Sequence, residues 1–315
     1  MNTTDRVAVC SRSFSNNSVL RAELSDKYKN IKFNDSGEKL DRALLVSFLS
    51  GHDKAITGLE KIDGFVLSHL PELKVISKYG VGLDMIDIEA MRRYDVKLGW
   101  SGGVNSRSVA ELVVSFAIAL LRHVPTSHKE LQNGMWRQHI GSYLTGRTVG
   151  IIGCGNIGKD LVKLLQPFEC SILVNDIQNY NDFYNQYNIE SMEKEELLAR
   201  SEVVTLHIPL NDSTKYMITR ERLALMKPGA VLINTARGGL IDESALKERL
   251  MGGHIAAALD VFSIEPPHDQ ELLELPNLLV TPHIGGSSHE AIFAMGRAAI
   301  DGLDNNEIPS SSLVK

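Results

Sequence analysis

The chain has 315 residues, of which 43% are hydrophobic and 23% charged, and its formal net charge is −6. That length exceeds what one hydrophobic core usually supports, so two domains are expected. An acidic surplus with no polybasic run argues against a nucleic-acid surface, which needs cations to replace phosphate counterions.

The first hundred residues alternate β-like runs at 7–10, 31–34, 55–57, 74–77 and 96–98 with helical stretches at 18–28 and 38–50. This is the βα alternation of a parallel sheet. No apolar signal region precedes the first run, and the most apolar stretch, 109–121, is too short to span a bilayer and carries Glu111. A cytoplasmic protein with no membrane partner is therefore expected. A long helix from about 106 to 123 follows, and strands recur at 148–152, 171–175, 203–207, 230–234, 255–260 and 278–281, a six-strand doubly wound sheet. The last helix, 287–303, lies beyond that sheet and is expected to cross back onto the first domain. The reading is thus α/β, with two Rossmann-like or flavodoxin-like parallel-sheet domains, one inserted into the other: 1–100 plus 288–315, and 101–287. The polar tail from Asn305 is expected to fray.

The strand Thr148-Val149-Gly150-Ile151-Ile152 runs into Gly153-Cys154-Gly155-Asn156-Ile157-Gly158, and the next strand ends at Asp176. Such a strand, glycine turn, helix and acidic strand end bind a dinucleotide: Gly153 permits a sharp turn, Gly155 lets backbone approach the pyrophosphate, and Gly158 lets the helix pack closely. Asp176 accepts hydrogen bonds from ribose hydroxyls and repels a 2′-phosphate, while Ile177, Gln178, Asn179 and Tyr180 offer no cation. NAD is favoured over NADP. Cys10, Cys154 and Cys170 lack CxxC spacing and read as small buried hydrophobes, and no histidine spacing implies a metal.

Arg237, Glu265 and His283 each follow an apolar strand of the second unit, where ligands of open parallel sheets bind. An arginine fork can hold a carboxylate or polarise a carbonyl, a histidine can exchange the proton that accompanies a hydride, and a carboxylate can stabilise imidazolium. Each also has a plainer reading: Arg237 as a cofactor phosphate clamp, His283 as a surface histidine, Glu265 as a solvated turn residue before Pro266. His207 lies at a strand end near the expected cofactor.

An ordered series of stretches narrows these alternatives. It comprises Ser77-Lys78-Tyr79-Gly80-Val81-Gly82-Leu83-Asp84, Asn105-Ser106-Arg107-Ser108-Val109-Ala110-Glu111-Leu112, the glycine fingerprint, Leu206-His207-Ile208-Pro209-Leu210, Met226-Lys227-Pro228-Gly229, Asn234-Thr235-Ala236-Arg237-Gly238, Leu259-Asp260-Val261-Phe262 with Glu265-Pro266, and Thr281-Pro282-His283-Ile284-Gly285-Gly286. Over nearly its whole length the chain resembles the D-isomer-specific 2-hydroxyacid dehydrogenase family, and within it the phosphoglycerate dehydrogenase branch. The resemblance implies that Arg237 binds and polarises a 2-oxo acid, that His283 is the acid/base, and that Glu265 orients His283 and raises its pKa. It implies an NAD site lined by the fingerprint, Asp176, His207, Pro209, Thr235, Ala236, Arg237, Asp260, His283, Gly285 and Gly286. Asn105 and the backbone of Tyr79, Gly80, Val81 and Gly82 would bind substrate, the latter as a nest of successive N–H groups. It also implies a homodimer, with the apolar face of 109–121 as core or as part of the interface.

Phosphoglycerate dehydrogenases hold the substrate phosphate partly with an Arg-Ser pair after the third strand, where this chain has Thr57-Gly58 followed by Leu59-Glu60-Lys61. Hydroxypyruvate, glyoxylate or D-lactate chemistry is therefore the alternative, and no added serine-responsive domain is expected. An NAD-sensing, co-repressor-like binding protein is the non-enzymatic alternative. A formate or phosphite donor is a further one.

Overall fold

The computed structural model describes residues 2–310 and 313. The chain divides into two compact units, Met1–Asn105 with His289–Lys315, and Ser106–Ser288. Among the described residues no single helix is long and apolar enough to cross a membrane; only the Ser106–Leu121 and Val124–Gln132 helices, bent by 62°, pass that test together.

In the first unit five parallel strands, β1 (Asn2–Val9), β2 (Tyr28–Phe33), β3 (Lys54–Thr57), β4 (Val75–Lys78) and β5 (Lys97–Gly99), lie in the order β2-β1-β3-β4-β5. Alternation in β1 explains why both sheet faces are covered: Val7 and Val9 join a core with Phe14, Leu20 and Leu24, whereas Ala8 joins another with Leu45 and Leu49. β1 starts at Asn2 rather than at the apolar run, since the polar residues 2–6 extend the ladder through pairing of Asn2 with Tyr28. The helix read at 38–50 begins only at Arg42, because Asp41 caps it by accepting from Leu44 N.

The helix His289–Gly302 packs on β4 and β5 of the same unit. Ser77 Oγ donates to Ala299 O at 2.6 Å, and Arg297 forms a fork on Glu23. The contact is backbone on backbone: a Cβ at Gly99 would lie 2.1 Å from Gly302 O. Beyond the helix the chain does not fray at Asn305 as expected. Leu98 and Glu307 exchange backbone hydrogen bonds of 2.8 and 3.3 Å, and Arg92 Nη1 donates to Pro309 O. Of the tail residues, 311, 312, 314 and 315 lie outside the described residues.

The second unit has seven parallel strands, one more than the sequence suggests: β6 (Thr148–Ile152), β7 (Ser171–Asn175), β8 (Glu190–Ser191), β9 (Val203–Leu206), β10 (Val231–Asn234), β11 (Ala256–Leu259) and β12 (Leu278–Val280), ordered β12-β11-β10-β9-β6-β7-β8. β8 has two exposed polar residues paired with β7, so it carries no hydrophobic signature. Val149, Ile151, Val231 and Ile233 face one core, and Ile152, Val204, Leu206 and Leu232 face the other. The Ser106–Leu121 helix contributes Ala110, Val113, Phe116 and Leu120 to the first of these cores. The buried side chains of this helix are therefore core, one of the two readings left open for its apolar face. Strand order reverses between β6 and β9, and the crevice at such a point, outside the carboxyl ends, is where doubly wound sheets take ligands.

Gly99→Ala should lower the stability of the first unit by about 2–3 kcal/mol, because the methyl group meets backbone that cannot rotate away. A urea midpoint equal to that of the unmodified chain would contradict this close packing.

Candidate active site

At the end of β6 each glycine has a distinct physical reason. Gly153 has φ +98°, and a Cβ there would lie 2.5 Å from His207 O; a Cβ on Gly158 would lie 2.3 Å from Gly153 O. Gly155 is different. Nothing lies within 4 Å of where its Cβ would sit. It is the N-cap of the Asn156–Leu165 helix, and no side chain caps that end. Bare N–H groups at the positive end of a ten-residue helix, facing open space across a glycine, fit a pyrophosphate. Asp176 lies beside the turn, with Oδ2 accepting from Cys154 N at 2.5 Å and Oδ1 from Gln178 N at 2.7 Å. Burial, and next the Asp176 charge, push the Cys154 thiol up to about 11, so it stays protonated beside the turn.

Arg237, Glu265 and His283 follow three adjacent strands, β10, β11 and β12, at their carboxyl ends. His283 Nδ1 and Glu265 Oε2 are 2.9 Å apart, with their side chains 49% and 41% exposed, so the pair is formed and reachable. Glu265 Oε1 accepts from Phe262 N at 3.2 Å, which fixes the carboxylate from behind. Arg237 Nη1 donates to Ala236 O, and the turn that carries it is held by Asn234. Wholly buried, Asn234 accepts from Ala236 N through Oδ1 and donates to Arg237 O through Nδ2.

Asp260 is 1% exposed. Its carboxylate accepts from Thr281 Oγ1 (2.6 Å), Ile284 N (2.7 Å) and Gly285 N (2.8 Å), and its carbonyl accepts from His283 N. Asp260 thus anchors the loop that carries His283. Ser108 Oγ adds a bond to Gly285 O. Thr235 Oγ1 is buried without a hydrogen-bond partner among the described residues, an acceptor and donor left for a ligand. Pro209 is exposed and accepts from Thr214 Oγ1, and Gly286 lies in the turn after Gly285. Sequence reasoning assigned no role to Asn234; its signal was a lone amide ending an apolar strand.

In the first unit the 79–82 turn carries Gly80 at φ +121°, and Val81 O accepts from Trp100 Nε1 at 2.9 Å. The N–H groups of Gly80, Val81 and Gly82 meet no acceptor among the described residues. Nearby, Gly58 N donates to Glu60 Oε2 at 2.6 Å, and Thr57 Oγ1 is buried without a partner among the described residues. Asn105 Oδ1 is likewise unpartnered.

Residues 114–285 match the NAD binding domain model of the D-isomer specific 2-hydroxyacid dehydrogenases. The chain belongs to that family. Among its relatives, a hydroxypyruvate reductase from Thermotoga maritima is 35% identical over 81% of this chain and 85% of its own length. A D-3-phosphoglycerate dehydrogenase from Methanocaldococcus jannaschii is 41% identical over 75% of this chain, which spans only 46% of that protein. A solved structure of D-2-hydroxyisocaproate dehydrogenase superposes with a TM-score of 0.83 at 25% identity, covering 96% of this chain and 95% of that one. NAD is accordingly the cofactor of the second unit, and the uncapped helix at Gly155 and the unpartnered Thr235 hydroxyl suit it.

His207 of this dehydrogenase differs from His283. Its Nε2 lies 3.0 Å from Thr205 Oγ1, its Nδ1 is enclosed without a partner among the described residues, and burial lowers the imidazole to about 3. It is neutral at physiological pH and does not act as the acid. The folded value lies below the ordinary 6.5, so the unfolded chain binds the proton more readily. The stability that neutral His207 contributes is present above pH 6.5 and is lost as pH falls from there toward 3. Between about pH 7.5 and 5.0 unfolding free energy should drop by up to about 2 kcal/mol more in the unmodified chain than in His207→Gln. Parallel losses in urea titrations at the two pH values would remove His207 as the cause.

Proposed function

We propose that the chain interconverts a small, unphosphorylated D-2-hydroxy acid and its 2-oxo acid, with NAD as hydride acceptor. The observation that carries the proposal is the His283–Glu265 pair, with Arg237 following the strand next to theirs at the same carboxyl edge of the sheet. NAD, when bound, takes the hydride from C2 or, as NADH, returns it. In oxidation His283 Nε2 removes the hydroxyl proton; in reduction it protonates the forming alkoxide. Glu265, on Nδ1, keeps Nε2 directed at the substrate and stabilises the imidazolium. Arg237 binds the acid and polarises its carbonyl. The part of the first unit is the 79–82 turn, whose N–H groups take the carboxylate, together with Asn105.

Glu60 supports an unphosphorylated acid. Its carboxylate is pinned to Gly58 N after β3, where phosphate recognition would call for a cation. Repulsion of a dianion there is on the order of several kcal/mol at protein-surface dielectric. The hydroxypyruvate reductase, matched over most of its length, agrees. The second reading, oxidation of a phosphorylated acid, draws on the higher identity to the phosphoglycerate dehydrogenase.

Purified protein should oxidise NADH with hydroxypyruvate or glyoxylate in preference to 3-phosphohydroxypyruvate. His283→Gln should lower kcat by about a hundredfold or more while leaving NADH binding nearly intact. Undiminished turnover would sink the assignment of the acid.

The reading extends to a cytoplasmic homodimer. In the second unit Val124, Leu131, Met135, Trp136, Ile140 and Tyr143 are all exposed, Trp136 by 83% and Ile140 by 97%. Such large apolar side chains clustered along one segment suit a second copy of the chain. Trp136→Glu should convert a dimer to a monomer in sedimentation equilibrium. A monomeric unmodified chain at micromolar concentration would refute the dimer.

A further inference from the structure

At the carboxyl end of β4 the first unit buries a cation. Lys78 is 5% exposed, and its Nζ donates to Gly58 O at 2.6 Å and to Tyr79 O at 3.2 Å. A lysine is rarely so buried without a task for its charge. Both carbonyls belong to loops at the ligand-binding edge of the sheet, one after β3 and one after β4.

The carbonyl of a trans peptide points opposite to its N–H. An ammonium that holds Tyr79 O therefore turns Gly80 N–H away from itself. Trp100 does the same one peptide further on, since its Nε1 holds Val81 O and thereby directs Gly82 N–H away from the indole. Gly80, at φ +121°, is where such a turn would otherwise rotate most freely. The ammonium is also close: a Cβ on Gly80 would lie 3.2 Å from Lys78 Nζ. A full positive charge next to a row of outward N–H groups strengthens their attraction for an anion in a partly desolvated site.

We propose that Lys78 is a positioning residue for carboxylate recognition, its ammonium holding the Tyr79–Gly80 peptide with the N–H outward and adding positive charge behind the turn. This rests on the reading of the 79–82 turn as the receiver of the substrate carboxylate. Lys78 touches no substrate. It acts through the backbone, and Trp100 acts with it.

The test measures oxamate binding to the NADH complex by calorimetry, in the unmodified chain and in Lys78→Met, Lys78→Arg and Trp100→Phe. Lys78→Met keeps the apolar stem and removes the donor. Its Kd for oxamate should rise about tenfold or more with NADH affinity unchanged, and Lys78→Arg, which keeps a cation, should recover most of the loss. Oxamate binding unaltered in folded Lys78→Met overturns the proposal, as does failure of Lys78→Arg to recover it. Should Lys78→Met not fold, Trp100→Phe decides: weaker oxamate binding supports the carbonyl clamp, and unchanged binding overturns it. No oxamate binding by the unmodified chain overturns both the proposal and the carboxylate reading. Lys78-dependent oxamate binding in a chain that reduces no 2-oxo acid upholds the proposal and refutes only the assigned reaction.

Discussion

The arrangement of the second unit depends on one buried carboxylate. His283 is a non-glycine residue at φ +56°, a conformation that a side chain with a Cβ adopts only when its surroundings over-determine it. Asp260 does so. Four bonds converge on it, three to its carboxylate and one to its carbonyl, and all come from residues 281–285. An aspartate that is 1% exposed is costly to bury unless its lone pairs are filled. The loop fills them, and in return the loop has one geometry. The imidazole can then meet Glu265 without either side chain being buried, which leaves both open to a ligand.

The same logic recurs at the ends of β10 and β4. Asn234 closes the turn that presents Arg237 by bonding to backbone on both sides of it. Lys78 and Trp100 hold the carbonyls of the turn in the first unit. In each case a polar side chain bonds to main chain, and the segment it holds carries the groups that face a ligand. A reactive side chain held by its own contacts would lose freedom to bind; held through the backbone beneath it, it keeps its polar atoms available.

What was legible in the sequence followed from period and spacing. Strands with continuous apolar runs, such as Thr148–Ile152 and Ser171–Asn175, were readable to the residue, because both of their faces are buried. β8 and the first half of β1 were not, because backbone pairing alone holds their polar residues in the sheet. The tail from Asn305 was misread for the same reason: Glu307 is held by main-chain bonds to Leu98, which composition does not reveal. The apolar side of the Ser106–Leu121 helix could be core or interface, since hydrophobicity says that a face is covered but not by what. Arg237, Glu265 and His283 were visible as ionisable groups after apolar strands. Asn234 and Lys78 were not, because an amide or a lysine at the end of a strand signals nothing until the carbonyls it meets are known.

Two carboxylates in this chain share a feature that bears on what it rejects. Asp176 is held by the N–H groups of Cys154 and Gln178, and Glu60 by that of Gly58. A free carboxylate on a flexible stem can swing away from an approaching phosphate, and the repulsion then costs little. One that accepts from backbone cannot leave without stranding an amide, so the repulsion stays at full strength. Each oxygen keeps a second lone pair, which a hydroxyl can use and a phosphate cannot. On the proposed reading, one such carboxylate selects a ribose with a free 2′-hydroxyl and the other an acid without a phosphate. Both would discriminate by the same means, a fixed negative charge that tolerates a donor and repels an anion.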